Sequence, residues 1–574
     1  MNGVVRAARR RICYALVIAG ACVSGCHAKS DAASAGGESP LPPVDAPASL
    51  LVEGVVATPD ATLQRVQRGI GGGAGLFPST LGGIVCAATG LDARLGAEIN
   101  GASPAYLVLA GDPAAPSWVL AARLVEARRA RPLYEGTTAV LDAHDGGAGL
   151  VLLAERQDTR ALPPGRHEVV GIAPGGWVVI GQSAAALADL APYATRTLPL
   201  RPPARESITF DVPPSALAGS LATAAARGWS DAERAMLEDD RALRAAHDGR
   251  APDFGDPRAI VSALDGWTQR KIAALRDLRG AHVAIDVTDD DVSAVVTASP
   301  ASQGGAASAM VAALRTGDSA PLARVPRGTE LAILTRDDAA GRAGEAADLE
   351  GALVATLGPR LAAADARRVH AAFEDWTGAR GDWATLALAL LPAGLGVVAD
   401  VPSSDPARTS RAVHEAVDVV AHVPAIHDPL ATWLHASEVA FSAAEVPGGG
   451  HASMATLAKD GASRTSPASV AALAWVPGEA DVKIALGATP LPFLAPPLPG
   501  ETLGDDPAMR ALLGSVGDVA GAIVAQPGRS PGCVATGGVV FGWGARPDAA
   551  GVQALRATLA ASDTSLRCLA RSFF

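Results

Sequence analysis

An α+β body of two similar lobes is the fold class the sequence predicts, each lobe an antiparallel sheet with helices packed on one face, the two joined by a helical connector. Three observations predict it. A strand–turn–helix unit recurs along the chain, tight-turn hairpins sit beside these units, and one long stretch between them has helical periodicity.

The recurring unit is seen first at Leu51–Val56, a β-branched run stopped by Thr58-Pro59-Asp60 and followed by a helical pattern from Ala61 to Arg68. Gly396–Val401, Ser404-Asp405-Pro406 and the helical Ala407–Val420 repeat it. Gly538–Trp543, Arg546-Pro547-Asp548 and Ala549–Leu559 give a third instance. The logic is local. Proline presets φ for the first helical turn, and aspartate caps or complements the exposed N–H groups there. Hairpins are read at Thr138–Ala143 with Leu150–Ala154, at His167–Ala173 with Trp177–Gln182, and at His282–Val287 with Val292–Ala298. Their turns carry Asp145-Gly146-Gly147, Pro174-Gly175-Gly176 and Asp289-Asp290-Asp291. Ser183 is read as the N-cap of a helix running to about Leu190.

The connector is the helical stretch from about Pro214 to Arg279. Its last helix has Asp256 as N-cap, Pro257 as first residue and Gly280 as stop. Ile260, Leu264, Trp267, Ile272, Leu275 and Leu278 are expected on one buried stripe. The domain plan is therefore a leader (1–25), a tether (26–47), an N-terminal lobe (48–210), the connector (211–280) and a C-terminal lobe (281–574) that divides further near Pro490–Pro507. A body of roughly 525 residues exceeds what a single core supports.

The leader has a basic start (Arg6, Arg9, Arg10, Arg11), a short apolar run from Ile12 to Val23, and Val23-Ser24-Gly25-Cys26. About 12 apolar residues are too few to span a bilayer, which takes roughly 20, but they suit a secretory signal. The order Val-Ser-Gly-Cys resembles the lipobox of bacterial lipoproteins. That resemblance implies that Cys26 carries a diacylglycerol and an acylated amino terminus, so the protein is held to the membrane through lipid. His27 in place of Asp implies, by analogy with enterobacterial sorting, an outer-membrane location on its periplasmic or surface face. Residues 27–47 are small, polar and proline-rich, a tether with a reach of roughly 25 Å. The layout of the body is similar in pattern to uncharacterised exported bacterial lipoproteins built from strand–turn–helix repeats, a likeness that implies no functional residues.

Charge narrows the partners. The chain has 48 basic and 59 acidic residues, a formal net of −11, and loses four arginines with the leader. Such a balance disfavours nucleic acid and anionic lipid surfaces as partners. An unknown envelope protein or ligand remains as partner, and no cofactor is implied. Export places Cys86, Cys533 and Cys568 in an oxidising space. Cys533 and Cys568 flank one strand–helix unit, where a disulfide and two separate thiols are equal alternatives. Cys86 reads as a small buried residue.

A nucleophile elbow and a phosphate loop are both missing: Gly181-Gln182-Ser183-Ala184-Ala185 lacks the second glycine, and Gly71-Gly72-Gly73-Ala74-Gly75 lacks a following Lys-Ser/Thr. His414, His422, His427 and His435 cluster in sequence. His414-Glu415-Ala416-Val417-Asp418 resembles a zincin helix motif with Asp in place of the second histidine. That resemblance implies a metal held by His414 and Asp418, joined by His422 and His427, with Glu415 as base. The bland alternative is a solvated helix face with loop histidines. Three functions are thus expected in order: a non-enzymatic binding, scaffolding or assembly role, a metal-assisted hydrolase at His414–His435, and carriage of an apolar ligand, which needs a sizeable apolar pocket.

Overall fold

The computed structural model describes residues 41–70, 78–137, 139–155, 169–246, 253–288, 291–391, 394–434, 438–458, 469–526 and 538–562. Cys26, His435, Cys533, Cys568, the 71–75 glycines and Asp289-Asp290 lie outside these residues. No helix among the described residues is long and apolar enough to cross a membrane.

The fold is α+β, with helices packed against antiparallel sheet, and the chain divides into two compact units. The first comprises residues up to Ala224, Leu278–Ala301 and the chain from Ala561 onward; the second comprises Ala225–Asp277 and Ser302–Ala560. The helical stretch between the lobes thus groups mostly with the second unit, and the hairpin at 278–301 with the first.

The first unit's strands are β1 (Leu50–Val56), β2 (Ala105–Asp112), β3 (Ala115–Arg123), β4 (Leu141–Asp145), β5 (Val151–Glu155), β6 (Val169–Ala173), β7 (Trp177–Gly181), β8 (Ile208–Val212), β9 (Leu278–Val287) and β10 (Asp291–Pro300). They lie side by side as β4-β5-β6-β7-β3-β2-β1-β8-β9-β10, every neighbour antiparallel. Helices α1 (Pro59–Ile70) and α2 (Leu81–Thr89) connect β1 to β2, and α3 (Ala184–Arg196) connects β7 to β8. Ser183 caps α3 as expected, its hydroxyl accepting from the Ala186 N–H at 3.1 Å. Strand alternation feeds two cores. Val119 and Ala121 of β3 pack with Leu187 and Leu190 of α3. Trp118, Leu120 and Ala122 pack with Leu63 of α1 and Val85 of α2.

The second unit opens with α4 (Ala222–Ala246, most of it in this unit) and α5 (Pro257–Arg276). Its strands are β11 (Thr329–Arg336), β12 (Trp383–Leu391), β13 (Gly394–Pro402), β14 (Glu438–Glu445), β15 (His451–Ala458), β16 (Ser469–Pro477), β17 (Asp481–Gly487), β18 (Gly521–Ala525), β19 (Val539–Pro547) and β20 (Gln553–Ser562). They run β14-β15-β16-β17-β13-β12-β11-β18-β19-β20. That is the first unit's order with each strand advanced by ten. The connections correspond too. Helices α6 (Ala339–Leu357) and α7 (Ala363–Ala379) join β11 to β12, and α10 (Pro507–Val516) joins β17 to β18. The units differ most between their third and fourth strands. The first has only the short turns Ala127–Ala130 and Arg131–Leu133; the second has α8 (Pro406–His422) and α9 (Pro424–Leu434).

Three expectations are corrected. Residues 549–559 form no helix: they make the turn into β20, which pairs with β19. Asp548 closes that turn, its carboxylate accepting from the Ala550 and Val552 N–H groups, while Gly551 takes φ +77°. A turn that brings the chain back alongside β19 rewards pairing over the alanine-rich helical propensity of 549–559. Helix α5 begins at Asp256-Pro257 as expected, but it stops at Arg276, and Gly280 lies inside β9. Its apolar stripe is only partly covered. Val261, Ile272 and Ala274 are buried, whereas Ile260, Leu264 and Trp267 face solvent, with Trp267 54% exposed. Asp60 stands in the first turn of α1 as expected, and its carboxylate accepts from the Leu81 N–H at 2.6 Å, tying α1 to the start of α2.

One buried charge holds α6 to the second unit's sheet. Arg342 of α6 is 6% exposed and reaches the carboxylates of Asp337 and Asp382 at 3.0 Å, with the Gly381 carbonyl at 3.1 Å. Arg380 also pairs with Asp337. Replacing Arg342 with Met strips a buried carboxylate of one of its two cations. Arg342→Met is expected to cost about 3 kcal/mol in denaturant unfolding of the second unit; a loss under about 0.5 kcal/mol would show the pair to be solvent-screened.

Candidate functional site

The second unit's extra helix pair roofs a groove. Asp405 and Pro406 start α8: the Asp405 carboxylate accepts from the Arg408 N–H at 3.0 Å. Val413, Ala416, Val417 and Val420 then recur at helical spacing and face the sheet with Leu430, Ala431 and Leu434 of α9. The floor is strand alternation. Val439 of β14 pairs with Leu457 of β15, which pairs with Ala471 of β16. The next row runs Ala455–Leu473–Leu486 across β15, β16 and β17. The alanines make the floor concave, because neighbouring leucines stand taller than they do.

The resulting groove has a volume of about 660 Å³. Its walls are almost wholly apolar; Trp376 of α7 closes part of it, and His427 is the one ionisable residue lining it. Val420 and Leu486 remain 45% and 43% exposed, and Trp433 beside them 62%. An apolar surface left open at this scale is unfavourable in water by about 25 cal/mol per Å², and such surfaces mark binding sites. The sequence predicts apolar carriage as one reading without placing the groove. The signal was present in two strands with small residues on the face where large ones alternate, Ala455 before Leu457 and Ala471 before Leu473.

The described histidines of this group, His414, His422 and His427, form no metal-binding cluster. His414 stacks on Phe441 at 4.6 Å between ring centroids and lies 6.1 Å from the Trp475 ring. His422 pairs one helical turn back with Asp418 at 2.8 Å, and Asp418 is also held by Arg368 at 2.6 Å. His427 sits beside Asp428 at 3.0 Å. Glu415 has its carboxyl pushed up, first by burial and then by Asp375 beside it. Among the described residues no three His, Cys, Asp or Glu side chains form a group that would hold a metal ion. Cys86 is buried in α2; its thiol, 3.4 Å from the Asp92 carbonyl, is pushed up by burial. Trp475 anchors the roof, its indole N–H donating to the Ser410 hydroxyl at 3.1 Å.

Because one cap starts the roof helix, Asp405→Ala is expected to lower stability by about 1 kcal/mol. Amide exchange in Arg408–Ala412 should rise first, and unchanged exchange there would show that packing alone orders the helix start. Comparison with known proteins gives no match to any protein-family profile, curated protein or solved structure.

Proposed function

We propose that the chain is a lipid-anchored envelope protein with a non-enzymatic binding role, and that its second unit takes up an apolar chain of the kind found in membrane lipids. The observation that carries the binding reading is the groove of about 660 Å³ between α8, α9 and the β14–β17 floor. Its size falls within the roughly 300–1,000 Å³ of small-molecule sites. A lining with His427 as its one ionisable side chain offers few hydrogen-bond partners, so it selects for a ligand that needs few. A flexible aliphatic chain fits better than a sugar or a peptide, whose polar groups would be left unpaired there.

The anchor supports the same reading from the other end of the chain. A body tethered by acylated Cys26 works beside a lipid surface, where apolar ligands are concentrated. The acidic balance of the body suits a protein that is held by its lipid rather than by charge.

Ligand uptake is tested with the neutral fluorescent probe N-phenylnaphthylamine and the full chain. Ala471→Trp fills the floor and is expected to weaken probe binding ten-fold or more, about 1.4 kcal/mol. Unchanged binding in that variant would remove the groove as the site. The anchor is tested separately: Cys26→Ala is expected to move the protein from the membrane to the soluble fraction, and continued membrane retention would contradict lipid attachment.

A further inference from the structure

The opposite face of the same sheet carries a second cavity of different chemistry. On β17, Ile484 and Leu486 face the groove, so Asp481 and Lys483 face away from it. They line a cleft of about 890 Å³ together with Asp400 of β13 and Arg324. Asp400 lies directly across the strand pair from Lys483, and Asp481 is paired with Pro402 two residues on. The apolar part of the cleft is Phe493, Val398 and a rim of prolines. Phe493 lies so close to Gly396 that a Cβ there would come within 2.6 Å of its ring.

The charges in this cleft are unevenly matched. Arg327 at the rim is turned to Asp506 at 3.6 Å, and Glu501 accepts from the Leu498 N–H at 3.0 Å. Lys483 and Arg324, by contrast, make no side-chain hydrogen bond or ion pair among the described residues. Asp400 Oδ1 is fully buried and has no hydrogen-bond partner. A buried polar atom without a partner is costly, and a native one calls for an occupant that satisfies it. Two cations that make no ion pair among the described residues, beside an unpartnered carboxyl oxygen and an apolar wall, match one kind of molecule.

We propose that this cleft binds the carboxylate of an organic acid with an apolar body: Lys483 and Arg324 hold the anion, Asp400 shares a proton with it, and Phe493 and the prolines pack its hydrocarbon. A carboxylate fits better than a phosphate because Asp481 and Glu501 repel a doubly charged group more than a singly charged one. Two carboxyl groups of similar acidity also share a proton well.

The geometry makes binding proton-linked. Asp400 is held up to about 6, first by burial and then by Asp481, with Lys483 and Arg324 pulling it back. The charged groups facing it are Asp481 and Lys483 from β17 and Arg324, Arg327 and Glu501 from the segments over the cleft. Below that pKa Asp400 is neutral and donates; above it Asp400 repels the ligand. A bound anion raises Asp400 further, so affinity rises as pH falls, until the ligand itself is protonated.

Calorimetric titration of the full chain with hexanoate at about pH 5 and about pH 8, on either side of the Asp400 value, tests this. Hexanoate is expected to bind at least ten-fold more tightly at the lower pH, and hexanamide and inorganic phosphate at least ten-fold more weakly than hexanoate. Lys483→Met should abolish binding. Asp400→Asn, a permanent donor, should bind equally at both pH values. Ala471→Trp should leave hexanoate binding unchanged, which separates this cleft from the apolar groove. Equal binding of hexanamide or phosphate, or an Asp400→Asn variant that keeps its pH response, would overturn the assignment.

Discussion

A strand sends successive side chains to opposite faces, and the register of β16 and β17 therefore decides everything the second unit presents. With Leu473 opposite Leu486 and Trp475 opposite Ile484, one face of the sheet is wholly apolar. The same register puts Asp481 and Lys483 on the other face, across from Asp400. A slip of one residue would exchange the two faces, placing a lysine and an aspartate under α8 and leaving leucines in the charged cleft. Both cavities are thus consequences of one pairing.

The two units share a ten-strand order, and the groove lies where they differ most. In the first unit the space beyond β4–β7 is closed by Ala130, Leu133 and Tyr134 from two short turns, packed against Leu141 and Leu153. In the second, α8 and α9 stand over the corresponding strands and leave the groove between. The buried Glu53 of the first unit is satisfied from within: it accepts from the Tyr193 hydroxyl at 2.6 Å and pairs with Arg201, and the phenol is pushed up to about 12 by burial and by that carboxylate. Asp400 in the second unit has no such pair of donors. One topology thus supports a unit whose clefts are small and polar and one with larger cavities on both faces of its sheet.

Much of this was legible residue by residue. Period-two runs with Gly-rich turns gave the hairpins, and Asp-Pro gave the starts of α5 and α8, because these signals act within a few residues. Residues 549–559 were read as helix because alanine and leucine dominate there; the Asp548–Gly551 turn and pairing with β19 override that propensity. The exposed stripe of α5 was misjudged because periodicity reports amphipathicity and not what covers the apolar side. Of the His414–His435 group the described members do not form a metal site: His414 lies midway along α8, His422 at its end and His427 in α9, each with its own partner. The charged cleft was not visible because β13 and β17 meet only through long-range pairing, and the groove was not because α8 and α9 reach the floor of consecutive strands β14–β17 only through tertiary packing.

The central claim, that the second unit holds an apolar chain between α8, α9 and β14–β17, is tested most directly by locating such a chain. Crystals of the protein grown with a bromine-tipped alkyl maltoside would reveal the tip by anomalous scattering. The account predicts the bromine among Ala455, Ala471 and Leu473. A bromine found elsewhere on the protein, with that floor bare, would contradict it.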